Sequence, residues 1–578
     1  MTATPYAPLV EPSGARAGPS RGLGILLLVL ACLPYVIGLA SPPLWDANEP
    51  LYAQPPKEAL ETGDWLAPPW NGRPWFVHPP LSSWLTMPSY ALFGVTPFAE
   101  RLPMALAAIA TILATGALGR ATAGRRGGLL AAIVLAATAR YWLFARQLAG
   151  DVYLTACITG AFALALKALT TGGREGRGRL LAAYALVGAG VLAKGPVIVV
   201  LFLGPLLLAA RFAKPRVPLR ALRPLAFAVL VTALGAPWFV YMGWRFGVEY
   251  YEIYFGHHHA RRTFSDDVGG RPPWFYLLAL LGDAQPWILF VPFAVRRAWR
   301  NREADPARLL AWFAAVFPLV LFSIPSGKRN VYLLPLYPGL AAALVPFLLE
   351  WWDGLHDRIA SLGAALLATA ALVACALLVV GAGNAPDEIA AGSRVYLVLC
   401  ALAFVAAVYA VKVARGRLVV GLTAGFLWAL LVASGLLLPI LGRFMPVPRL
   451  AASLVARARP EDPAIVYRTG IHSLMYYANR RTSVAKDYPQ LLELVTVGTR
   501  AFVLGAEDVV AELRAMPNLE VAEVDRAPYF KFQFNWNIRG AGRSTRDLVV
   551  VEVRRLAPAP GTTPREGPSP PARSGGDR

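Results

Sequence analysis

The chain has 578 residues, a mean hydropathy of +0.48, 56% hydrophobic residues and only 16% charged ones, where a soluble domain carries roughly 25% charged residues. That balance excludes an ordinary soluble enzyme and indicates a polytopic membrane protein. The net charge of +21 would suit nucleic acid, but Lys and Arg cluster in alternate loops, so the charge reports topology and nucleic acid is excluded as a partner.

In chain order, residues 1–20 are rich in Pro, Gly and Ala and are expected to be a disordered cytoplasmic N-terminus. Thirteen apolar runs follow between Arg21 and Arg443, near 22–41, 101–120, 127–144, 151–170, 180–193, 196–211, 222–244, 275–295, 308–324, 331–350, 360–381, 395–412 and 418–440. Each has about the length a helix needs to cross a hydrocarbon core of ~30 Å. Residues 21–445 are therefore expected to form a transmembrane domain, with the first run a retained span and not a removed signal peptide. The basic loops contain Arg120, Arg125 and Arg126; Arg174, Arg177 and Arg179; Lys214, Arg216, Arg220 and Arg223; and Arg296, Arg297, Arg300 and Arg302. The positive-inside rule puts these in the cytoplasm and leaves two large outer loops, 42–100 and 245–274, on the opposite face. Cys32, Cys157, Cys375 and Cys400 all lie in apolar runs and read as small buried hydrophobes.

After the last run, residues 450–556 alternate β-like stretches such as Ala464-Ile465-Val466-Tyr467 with short helical ones, which predicts a small extracytoplasmic α/β domain. Residues 557–578 are a Pro/Gly/Ser/Arg tail that cannot bury a core. The predicted fold class is thus an α-helical polytopic membrane protein of about thirteen transmembrane helices with a small C-terminal α/β domain.

Polar residues on the outer face need a reason, because charge at span ends is expensive to place. Asp46, Glu49, His78, Arg146, Asp151, Lys194, Lys328 and Arg329 all fall there. Carboxylates beside several cations suit attack by an acceptor on a carbon that bears a phosphate leaving group: a carboxylate takes the proton and cations neutralise the phosphate. No P-loop, dinucleotide fingerprint or Ser/His/Asp signature is present. The run His257-His258-His259 points in directions about 100° apart if helical, and only as a strand would His257 and His259 face one ion; an interfacial or acceptor contact is the first reading.

The succession Trp45-Asp46-x-x-Glu49-x-x-Tyr52, Gly63-Asp64-Trp65, Asn71-Gly72, His78-Pro79-Pro80-Leu81-x-x-Trp84 and Arg101-Leu102-Pro103 resembles the first outer loop of the lipid A aminoarabinose transferase and protein O-mannosyltransferase group. Arg146 with Asp151, Ala193-Lys194-Gly195-Pro196, Ala236-Pro237-Trp238 and Ser326-Gly327-Lys328 continue the likeness in the same order. These are polyprenyl-phosphate-dependent membrane glycosyltransferases of the GT-C fold. The resemblance implies transfer of a sugar from a polyprenyl-phosphate donor to a lipid, protein or glycan acceptor, on the periplasmic face of an inner membrane. Alternatives are an oligosaccharide ligase and a lipid-linked sugar flippase or transporter.

Carried over residue by residue, the pattern implies Asp46 and Asp151 as catalytic carboxylates. Lys194, Lys328, Arg146, Arg329 and His78 become donor-phosphate ligands, and Glu49, Tyr52, His257 and His259 acceptor or cavity residues. No cofactor is fixed; a divalent metal at Asp46, Asp151 and His78 is left open. The chain departs from the group at two places: Pro50-Leu51 stand before Tyr52 where an Arg would precede it, and Val77-His78 replace Glu-Lys.

Overall fold

The structure, a computed structural model, describes residues 20–46, 48–147, 149–261, 270–353, 418–530 and 545–556, with a few positions between 391 and 401. The expected spans at 360–381 and 395–412, the N-terminus before residue 20 and the tail after 556 lie essentially outside these residues.

Helix α1 (Arg21–Val36) leads into the outer loop, where α2 (Pro50–Thr62) begins with Pro at its first turn and stops at Gly63, φ +75°. Pro suits a first turn because no helical partner needs its N–H, and glycine alone adopts the left-handed stop cheaply. A two-residue hairpin of β1 (Pro69–Trp70) and β2 (Arg73–Pro74) and helix α3 (Leu81–Phe93) complete the loop.

The runs expected at 101–120 and 127–144 are joined as one hydrogen-bonded helix, α4 (Pro97–Ala136), broken by non-helical angles at Ala123 and Gly124. The two arms fold back on each other: a Cβ on Gly116 would lie 3.2 Å from the Gly128 carbonyl oxygen, and one on Gly128 2.8 Å from that of Gly116. Small residues at helix crossings permit this approach in a membrane, where packing and not water drives association. Helix α5 (Ala139–Phe144) turns the chain into α6 (Ala149–Thr171), and α7 (Gly173–Lys194) and α8 (Val197–Phe212) follow, separated by Gly195 at φ +97°. Helix α9 (Pro224–Tyr251) is continued by a π-helical coil over Glu252–Arg261.

Among the described residues, five helices are long and apolar enough to cross a membrane, and three shorter apolar helices accompany them. The run at 275–295 is not one straight span: Phe275–Asp283 and Trp287–Arg300 meet at 112°. Its break falls at Asp283 and Gln285-Pro286, the polar interruption visible in the sequence.

The C-terminal region forms a five-stranded sheet in the order β4-β3-β5-β7-β6. Strands β3 (Ala464–Tyr467), β4 (Thr482–Ala485) and β5 (Arg500–Ala506) are parallel; β6 (Leu519–Phe530) and β7 (Thr545–Arg555) form an antiparallel hairpin paired to β5. β3 is buried at all four positions, as expected of a strand covered on both faces. Residues of β3, β5 and β7 contribute to two separate apolar cores, one on each side.

Candidate active site

The first outer loop is held by a buried ion pair. Arg101, near the start of α4, meets Glu49 with both prongs of its guanidinium, Nε to Oε1 and Nη2 to Oε2, each at 2.7 Å. Its Nη1 donates to the carbonyls of Leu39 and Pro42, and Glu49 Oε2 also accepts from the backbone N–H of Trp45. Glu49 is fully buried and Arg101 is 2% exposed. A desolvated, bidentate pair with its remaining donors satisfied is stable. Glu49 therefore fixes the turn that carries Asp46 and does not face a cavity, which corrects its sequence-based role as an acceptor contact.

Asp46 sits on that turn, 9% exposed. Its Oδ1 accepts from the backbone N–H of Ser473 at 2.9 Å. Burial raises its pKa to about 6, Ser473 pulls against that shift, and the Glu49 carboxylate adds to it. A carboxylate titrating there is suited to take a proton near neutral pH.

A second cluster forms where α6 begins and α7 ends. Asp151 and Lys194 pair at 2.7 Å. The Tyr52 hydroxyl from α2 lies against this pair, and its ring stacks on His78 at 4.9 Å between centroids and 13° between planes. A Cβ on Gly150 would lie 3.3 Å from that hydroxyl, so glycine gives Tyr52 its place. Tyr254 and Tyr332 are close enough to interact electrostatically with Lys194. Arg329, which interacts electrostatically with Tyr52, is exposed and reaches the first outer loop through Asn48 Oδ1 at 3.0 Å. Residues far apart in sequence thus bring Asp151, Lys194, Tyr52, His78 and Arg329 to one place.

Two expected phosphate ligands have other work. Arg146 is 4% exposed and its guanidinium donates to the carbonyls of Pro34, Ile37 and Gly38 at 2.8, 2.8 and 2.9 Å. It closes the C-terminal end of α1, whose last carbonyls have no helical partner. Lys328 is 3% exposed and its ammonium donates to the carbonyls of Arg271, at 3.0 Å, and Pro325. Both cations donate to backbone carbonyls, contacts that either would have to share or give up to hold a phosphate. The backbone over Glu252–Arg261 is π-helical and not a strand, so the geometry that would let His257 and His259 share one ion is absent; their side chains lie outside the described residues. Asp46, Asp151 and His78 do not form a ligand set, and among the described residues no three His, Cys, Asp or Glu side chains come together as one.

The family model for dolichyl-phosphate-mannose-protein mannosyltransferases matches residues 77–241. An undecaprenyl phosphate-alpha-4-amino-4-deoxy-L-arabinose arabinosyl transferase of Sodalis glossinidius is 28% identical over 80% of this chain and 83% of its own length. A protein of the same description from Pseudomonas fluorescens is 33% identical over 59% of this chain and 61% of its own length, so that the chain spans about three-fifths of that relative. The crystal structure of ArnT from Cupriavidus metallidurans bound to undecaprenyl phosphate superposes with a TM-score of 0.75 at 22% identity, covering 92% of this chain and 98% of that one. The chain shares the GT-C fold of that structure and is similar over most of its length to polyprenyl-phosphate-dependent glycosyltransferases.

Two features of the transferase's site were not read from its sequence. One is Arg101, quoted within a motif but given no role, although an Arg opening an apolar run is itself a signal. The other is Ser473. It reaches Asp46 across 427 positions, and no local pattern marks it. A third polar group, Arg140 with Asp283 and Asn330, ties the bend at residue 283 to the loop before Tyr332.

Proposed function

We propose that the transferase moves a 4-amino-4-deoxy-L-arabinose-type sugar from undecaprenyl phosphate to a lipid A-like acceptor on the periplasmic face of the inner membrane. The observation that carries this reading is the Arg329–Asn48 contact at 3.0 Å, which ties the cationic cluster to the turn that carries the Asp46 carboxylate. The relatives' shared description supplies the sugar and the donor. Because the donor is lipid-anchored, the outer face needs no nucleotide site.

In this reaction an acceptor oxygen attacks the anomeric carbon of the donor sugar. Asp46 receives the acceptor's proton, the anomeric C–O bond to the phosphate breaks, and the phosphate departs with the bonding electron pair. Lys194 and Arg329 take up its negative charge, a role worth most where water is excluded. Asp151 keeps Lys194 charged and aimed, Tyr52 positions the same ammonium, and His78 supports Tyr52 by stacking.

The test is reconstitution in proteoliposomes with undecaprenyl-phosphate aminoarabinose and lipid A, read by mass spectrometry. Transfer to lipid A by wild type, lost in Asp46→Asn, supports the proposal. Transfer only to protein would replace the acceptor, and no transfer at all, or an unimpaired Asp46→Asn, would overturn it.

A further inference from the structure

Four polar contacts and one aromatic plug seat the C-terminal domain on the first outer loop. The Asn71 side chain bridges to the edge of β4 as another strand would, Nδ2 to Thr482 O at 2.7 Å and Thr482 N to Oδ1 at 3.0 Å. Leu44 N donates to the Tyr477 hydroxyl at 2.8 Å, and Lys57 Nζ to Tyr476 O at 2.9 Å. The Tyr476 side chain, 5% exposed, packs with Leu44, Ala53, Tyr90 and Ala99, which are residues of the outer loop and α4. The fourth polar contact is Ser473 N to Asp46 Oδ1.

These contacts all place residues 472–482 over the turn that carries Asp46. Among the described residues, Ser473 is the hydrogen-bond partner of the Asp46 carboxylate, and it comes from a domain in which the sequence shows no catalytic motif. We infer that the C-terminal domain is a working part of the active site: Ser473, through its backbone N–H, is a positioning residue that holds Asp46 Oδ1 and leaves Oδ2 to receive the acceptor's proton. This inference rests on Asp46 being the base.

The arrangement makes two separable contributions. Docking buries Asp46, which disfavours its charge; the Ser473 N–H stabilises that charge. The titratable groups facing Asp46 are Glu49 from its own loop and Tyr529 from β6. Weakening docking and deleting the N–H should therefore move the acid limb of activity in opposite directions, which a purely structural role for the domain would not do.

The experiment uses full-length protein in proteoliposomes and compares Ser473→Pro, Ser473→Ala and the double variant Asn71→Ala/Tyr477→Phe. Ser473 is the first residue of the helix Ser473–Ala478, where proline removes an N–H the helix does not use. Ser473→Pro is expected to lower kcat at least tenfold with donor KM within twofold, and to shift the acid limb upward. Ser473→Ala, which keeps the N–H, loses less. The double variant, whose substitutions do not touch Asp46, lowers kcat several-fold and shifts the limb downward; it decides the matter if the proline variant fails to fold. If Asp46→Asn is inactive but these variants keep wild-type kcat and an unshifted limb, the inference fails while the function stands. An active Asp46→Asn sinks the proposed function itself.

Discussion

Replacing Arg146 with Met separates its two readings, a ligand for donor phosphate and a clamp on the end of α1. The guanidinium serves three carbonyls. The Pro34 carbonyl also accepts from Trp142 Nε1 at 2.9 Å and from Ser434 Oγ at 2.9 Å, so it keeps partners in the variant. Those of Ile37 and Gly38 lose a charged donor, but the Gly38 carbonyl keeps the Ser41 N–H at 3.1 Å, so Ile37 has the carbonyl left unpaired. At about 1–3 kcal/mol for a buried group left unpaired, the loss is about 1–3 kcal/mol. The packing of Arg146 over the Trp142 ring, 5.7 Å from its centroid, adds a little to this. Thermal unfolding in detergent should therefore drop clearly for Arg146→Met, while the KM for the lipid-phosphate donor, measured below the unfolding range, stays within twofold. An unchanged melting curve with a tenfold higher donor KM would refute the clamp and restore the phosphate role.

Asp46→Asn is expected to reduce kcat by about 10²–10⁴-fold, the usual contribution of a positioned general base, read in the lipid A transfer assay. In wild type the acid limb of kcat should fall near pH 6, because the carboxylate must be unprotonated to accept a proton and burial raises its pKa to about 6; activity independent of pH from 5 to 7 would contradict this. Lys194→Gln should lower kcat about ten- to hundredfold, corresponding to loss of a charge-assisted contact worth about 1.5–3 kcal/mol, whereas Arg329→Gln should raise donor KM with little change in stability, as its side chain is exposed. Arg101→Leu strands the buried Glu49 carboxylate and should destabilise the protein by about 3–5 kcal/mol, seen as poor recovery from membranes and early thermal unfolding.

Much of the fold was legible because membranes impose simple rules. Helix lengths follow from hydrocarbon thickness, and the basic loops at Arg125, Arg174 and Arg296 set the sides. What composition could not supply was the behaviour of apolar runs once folded. The break at Ala123-Gly124 makes a hairpin of two runs, and the bend near Asp283 turns one run through 112°. Asp46, Asp151, Lys194 and Arg329 were legible as site candidates because outer-face charge is costly. Which cations are engaged by backbone was not legible, because hydrogen-bond occupancy belongs to tertiary structure: Arg146 and Arg329 look alike in sequence, and only the fold puts the first among three carbonyls and leaves the second exposed.

That difference separates scaffold from chemistry throughout the outer face. A guanidinium in a low-dielectric setting must fill its donors or lose stability. Arg101 and Arg146 do so with a carboxylate and with backbone carbonyls, and both lie deep, at 2% and 4% exposure. Arg329 lies at the rim, where solvent can satisfy the donors that Asn48 does not, so a phosphate can replace that solvent without breaking a buried contact. Lys194 is intermediate: its partner Asp151 is a carboxylate, so an arriving phosphate meets a charge already in place but must share it. This predicts a division of labour in which Arg329 makes first contact with the donor and Lys194 stabilises the phosphate as it leaves. The division would show as a donor KM effect for Arg329 variants and a larger kcat effect for Lys194 variants.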